Sequence, residues 1–107
     1  MIESYAQDWP SPSHPKPIVI IGAGGIVRDA HLPAYAKAGL KVQGVTDLDA
    51  ARSGALARDF NIPTVFSSVA EAAAAMGTSA VYDIAVPPDA IPRILPDLPD
   101  GAAVLMA

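Results

Sequence analysis

Two features of this chain have residue types and spacing suited to chemistry. The first is Gly22-Ala23-Gly24-Gly25-Ile26-Val27, directly after the β-branched run Ile18-Val19-Ile20-Ile21. A glycine cluster between a strand and a helix suits a phosphate: Gly22 allows a tight exit from the strand, and Gly24 lets an anion approach the backbone. The N–H groups of Gly25 and Ile26 open the helix and face that anion with the helix dipole behind them. Val27 stands where a third glycine usually packs helix on strand, which predicts a helix held slightly farther from the sheet. The second feature is Asp47, 25 positions after Gly22, close to the spacing of about 20 for a ribose-binding carboxylate. Its oxygens can accept ribose hydroxyls and its charge repels a 2′-phosphate. This favours NAD over NADP, with Arg52 one helical turn on as the opposing cation.

Competing chemistries fail on particular residues. No Gly-Lys-Ser/Thr follows the turn, so it is no P-loop. Two residues before Gly22 stands Ile20, not the carboxylate often found there in methyltransferases. The absence of cysteine removes disulfides, thiolate metal sites and cysteine nucleophiles together. His14 and His31 are the two histidines. His31, on the glycine-loop helix, reads as a structural hydrogen-bonding group near a helix kink rather than a proton carrier. Asp83 lies inside a strand and is expected to pair with a neighbour. No catalytic residue and no metal-ligand spacing is assigned.

The elements that must position these residues follow from periodicity and punctuation. Ile18–Ile21 reads as a strand covered on both faces. The helix after it carries Pro33, which predicts a kink or fresh start near Leu32, and Ile26, Ala30 and Ala34 are expected to form its apolar face. Gly39 is the expected C-cap. Further strands are expected over Lys41–Thr46, Thr64–Phe66, Ala80–Val86 and Ala102–Ala107. Between them lie helices over Ala50–Phe60, capped by Asp49, and through Ala72–Ala75, capped by Ser67 or Ser68 and stopped by Gly77. A short helix over Ala90–Leu95 is crowded by Pro92 and Pro96. The alternation predicts an α/β fold: a Rossmann-like open parallel sheet of five strands, order 3-2-1-4-5, with helices on both faces. Residues 1–17, with prolines at 10, 12, 15 and 17, read as an extended arm that Tyr5 and Trp9 could anchor. Residues 18–107 read as the domain.

Composition sets the outer bounds. One domain fits 107 residues, and 51% hydrophobic content excludes a disordered chain. A net charge of −4 and a pI near 4.8 speak against a nucleic-acid partner. No apolar run is long enough for a membrane span and no secretory signal opens the chain, so a cytoplasmic protein is expected.

Taken together, IVIIGAGGIVRDAHLPAY, VTDLDAARSGALARDFNIP and DIAVPPDAIPRIL resemble the Gfo/Idh/MocA family, the glucose–fructose oxidoreductases and inositol dehydrogenases. The resemblance covers residues 17–107 and implies the N-terminal NAD-binding domain. It further implies that Ala85–Pro88, including Val86, Pro87 and Pro88, line the nicotinamide side of the cofactor. Ile91 stands about where the family often has histidine. The family's Glu-Lys-Pro-like motif after strand five, and its C-terminal substrate domain, would follow beyond Ala107. The chain is therefore expected to be a domain fragment, inactive as a dehydrogenase alone and prone to self-association through its strand-five edge. Two functions stay open: the cofactor domain of an oxidoreductase acting on a sugar- or cyclitol-like alcohol, or a non-catalytic nucleotide-binding sensor or assembly module.

Overall fold

The computed structural model describes residues 16–106. The arm, with Tyr5, Trp9 and His14, lies outside the described residues apart from Lys16 and Pro17. Five parallel strands form one sheet: β1 (Ile18–Ile21), β2 (Val42–Thr46), β3 (Thr64–Val65), β4 (Val81–Ile84) and β5 (Ala103–Met106). Their order is β3-β2-β1-β4-β5, as the alternation predicts. β1 has the bounds of its hydrophobic run, and the other four strands are one to three residues shorter than theirs; flanking residues such as Phe66 and Ala80 are buried just outside the strands.

The unbroken run of β1 is explained by two separate cores. Ile18 and Ile20 point to one face, where they meet Val27, Leu32, Val45 and Leu56. Val19 and Ile21 point to the other, where they meet Phe66, Ala72, Tyr82, Ile84 and Ile94. A central strand needs apolar residues at every position when helices cover both its faces. On the first face lie α1 (Leu32–Ala38) and α2 (Ala50–Phe60); on the second lie α3 (Val69–Met76) and α4 (Ile91–Ile94). Gly44 in β2 answers a packing need, since a Cβ there would collide with the Phe66 ring.

The caps follow the sequence closely. Asp49 accepts the N–H groups of Ala51 at 3.0 Å and Arg52 at 3.4 Å. Ser68, rather than Ser67, caps α3 by accepting the Glu71 N–H at 3.0 Å, while the Glu71 carboxylate accepts the Ser67 N–H at 2.6 Å. Gly39 ends α1 in the left-handed region at φ 74°. Beyond α4, β5 is an edge strand whose Met106 is 57% exposed.

The glycine-loop helix departs from expectation. Val27–His31 forms a π-helical turn, closed by the Leu32 N–H donating to the Val27 carbonyl, before α1 starts with Pro33 in its first turn. A proline N lacks the hydrogen that would bond residue 29, so the fresh start near Leu32 is where the sequence placed it. The expected apolar face is wrong, however. Ile26 is 58% exposed and Ala30 and Ala34 face solvent, while Val27 and Leu32 are buried. The wider turn inserts a residue, so the inward positions fall five apart instead of four.

Candidate dinucleotide cleft

At the C-terminal ends of β1, β2 and β4 lies an open cleft of about 720 Å³, walled by the two loops that leave β1 and β2 and by the segment after β4. This is where open parallel sheets bind ligands, at the point where the strand order reverses. Gly22, Gly24, Ile26, Asp47, Val86 and Pro87 line it. Gly25 sits exposed between Gly24 and Ile26, and Pro88 opens the short 3-10 turn Pro88–Ala90; neither is part of the lining.

Each glycine has a different task. Gly22 has φ 108°, and a Cβ on it would lie 2.6 Å from the Ala85 carbonyl oxygen. Its lack of a side chain lets the end of β1 pack against the end of β4, which brings Ala85–Pro87 to the cleft wall. Nothing lies within 4 Å of a Cβ built on Gly24, so that position is open toward the cleft. The first helical bond of the loop, from the Arg28 N–H to the Gly24 carbonyl, is 3.3 Å long. The N–H groups of Gly24, Gly25 and Ile26 precede it and have no helical acceptor behind them.

Asp47 stands on the opposite wall and joins it to the glycine loop. Its Oδ2 accepts the Ala23 N–H at 2.6 Å, and its Oδ1 accepts the Asp49 N–H at 2.7 Å. Leu48, 99% exposed, projects beside it at the rim. Arg52 also lines the cleft, with its Nε 3.7 Å from the Asp49 carboxylate, so the cation of the lining already has an anionic neighbour.

A second polar cluster lies behind the cleft, on the α1 face of β4. Asp83 is 1% exposed, and its Oδ2 accepts from the Tyr35 hydroxyl at 2.6 Å and from His31 Nδ1 at 2.7 Å. His31 is thus a hydrogen-bonding group near the helix irregularity, and Asp83 has the expected pairing. Burial, followed by the hydrogen bond and charge of Asp83, pushes the Tyr35 phenol well above its ordinary range. Tyr35 is the member that sequence reasoning missed. Its spacing of four from His31 was the available signal, since such residues share a helix face. Tyr82, on the other face of β4, donates its hydroxyl to the Gly77 carbonyl at 2.6 Å, and burial raises its pKa as well.

The profile of the oxidoreductase family Gfo/Idh/MocA, described as an NAD-binding Rossmann fold, matches residues 16–98. The chain belongs to the Gfo/Idh/MocA oxidoreductase family. Within that family the glycine loop, Asp47 and the Ala85–Pro88 segment fall in the NAD-binding Rossmann domain. Two solved structures share the fold. One is designated an NADP oxidoreductase of Bacteroides fragilis, with 23% identity and a TM-score of 0.64, over 85% of this chain and 34% of that one. The other is a dehydrogenase, MviM, of Clostridium difficile, with 20% identity and a TM-score of 0.64, over 85% of this chain and 29% of that one. The chain therefore spans about a third of the length of these structures. No curated protein matches it. Among the described residues, no helix is long and apolar enough to cross a membrane.

Proposed function

We propose that the cleft binds NAD, in preference to NADP, as the cofactor domain of an oxidoreductase acting on a sugar- or cyclitol-like alcohol. The observation that carries this reading is the pairing of an open backbone at Gly24 with the Asp47 carboxylate on the facing wall. A dinucleotide needs both: N–H groups at a helix start for its pyrophosphate and an acceptor for its adenosine ribose. The residues fit the group. Each Asp47 oxygen accepts one backbone N–H, and a carboxylate oxygen has a second lone pair for a ribose hydroxyl.

The Gly24, Gly25 and Ile26 N–H groups would hold the pyrophosphate, and Val86, Pro87 and Pro88 would flank the nicotinamide. When bound, the nicotinamide supplies the hydride acceptor, and the protein supplies binding and orientation. Asp47 would accept from the ribose and repel a 2′-phosphate. We assign no proton-transferring residue to residues 16–106, so this part of the chain is proposed to bind and orient without turnover of its own. Self-association through the exposed β5 edge belongs to the same proposal.

Titration calorimetry tests the reading. NAD+ is expected to bind the 107-residue chain more tightly than NADP+. Equal or tighter NADP+ binding would remove Asp47 as the selector, and no binding of either would remove the dinucleotide assignment itself.

A further inference from the structure

Asp47 makes contacts that a ribose acceptor alone would not need. Its carboxylate bridges two loops from different strands, taking the Ala23 N–H of the loop after β1 and the Asp49 N–H of the loop after β2. Ala23 stands between two glycines: Gly22 has φ 108°, and a Cβ on Gly24 would meet open space. Gly22 is held by its own N–H, which donates to the Thr46 carbonyl at 2.8 Å. The Ala23 methyl packs into the first core, and the bond to Asp47 fixes its N–H. Glycine-rich turns lose more entropy on ordering than other segments, so an external hold matters most there.

We propose that Asp47 is a positioning residue for the glycine turn as well as a ribose acceptor. The inference rests on the dinucleotide reading of the cleft. By accepting the Ala23 N–H, Asp47 takes that donor away from the ligand and leaves Gly24, Gly25 and Ile26 to face the pyrophosphate. The ribose site and the pyrophosphate site are then coupled through one carboxylate. A substitution at Asp47 therefore cannot act as a simple exchange of NAD for NADP preference. Removing the charge relieves the repulsion of a 2′-phosphate, but it also releases the turn that every dinucleotide must use.

The test separates the two roles with a ligand that lacks one of them. An NAD+ analogue without the 2′- and 3′-hydroxyls on its adenosine ribose has nothing there to donate to Asp47. Its affinity is compared for the native chain, Asp47→Ala and Asp47→Asn. Positioning predicts that the analogue still loses about tenfold or more in Asp47→Ala, as for a lost hydrogen bond to a charged acceptor. Most of that loss should return in Asp47→Asn, whose amide oxygen can still accept the Ala23 N–H. NADP+ affinity should not rise in Asp47→Ala. An analogue that binds the native chain and Asp47→Ala equally, or an NADP+ affinity that rises, overturns the proposal.

Amide exchange in the ligand-free native chain gives an independent readout. The Ala23 amide should be protected, beside fast exchange at Gly24 and Gly25. Ala23 exchanging as fast as those two sinks the proposal, even if Asp47→Ala fails to fold. Should the native chain bind no dinucleotide, the functional reading falls while the exchange measurement still decides the role of Asp47.

Discussion

Asp47 and Asp83 are both carboxylates with two hydrogen-bonding partners, yet they do opposite things for the same helix. Asp47 is half-buried at a strand end and accepts from backbone N–H groups, so it acts on the loop that opens toward the cleft. Asp83 is buried in mid-strand and accepts from two side chains, Tyr35 and His31, so it grips the helix further along its length. A backbone partner serves any side chain at that position, so the Asp47 contact needs only the right loop path. Side-chain partners demand particular residues at particular turns. The cleft region is therefore open and adaptable, and the Asp83 region closed and specific. A buried carboxylate is costly unless it is hydrogen-bonded, so the Asp83 cluster stands or falls as a unit.

The largest expected effect comes at the point where the two regions meet. Gly22→Val would put a branched side chain at φ 108° and drive its Cβ to 2.6 Å from the Ala85 carbonyl oxygen. Backbone strain and collision both act, and the β1 and β4 ends would have to part. Chemical denaturation should show a loss of about 3 kcal/mol or more, the range reserved for such mechanisms. A near-native midpoint would mean the strand ends separate freely, and the cleft wall is softer than the packing implies.

Gly24→Val sharpens the contrast between the two ends of the loop. Open space surrounds that position, so folding should change by no more than about 1 kcal/mol. Dinucleotide affinity should fall by about tenfold or more, because the side chain would occupy the approach to the pyrophosphate donors. Two glycines separated by one residue would then fail in opposite ways, one in folding and the other in binding. A folded Gly24→Val chain that binds NAD+ unchanged would show that the ligand does not cross this loop.

How much of this was legible in the sequence follows the same division. The sheet order came from β-branched runs and glycine or proline punctuation, because buried central strands have few other compositions. Asp47 was legible because the glycine turn and its carboxylate are tied by local rules of strand and helix ends. The inward face of the glycine-loop helix was not. Regular spacing of four pointed to Ile26, Ala30 and Ala34, and the π turn at Val27–His31 moved the buried positions to Val27 and Leu32. That turn is closed by one backbone bond and joined to β4 by the His31–Asp83 contact, spanning 52 residues, and α1 after it by the Tyr35–Asp83 contact, spanning 48; no local pattern encodes either. Pro33 showed that something must change near Leu32 without showing which way the helix would turn.

The smallest expected effect isolates the closed region. Tyr35→Phe removes one of the two donors to Asp83 and leaves the ring, so stability at neutral pH should drop by about 1–2 kcal/mol. The alkaline limb separates this from ordinary loss of packing. Folding raises the Tyr35 pKa, so the native state holds its proton at pH values where the unfolded chain has released it. Stability from this group is complete below the unfolded value of about 10 and declines as pH rises above it. Tyr82 is shifted in the same direction, so the native chain should lose stability above pH 10 through both groups. Tyr35→Phe should flatten that decline but not abolish it, as read from urea midpoints at successive pH values. An unchanged alkaline slope would mean that the Tyr35 hydroxyl is not committed to Asp83, and the closed region would then rest on His31 alone.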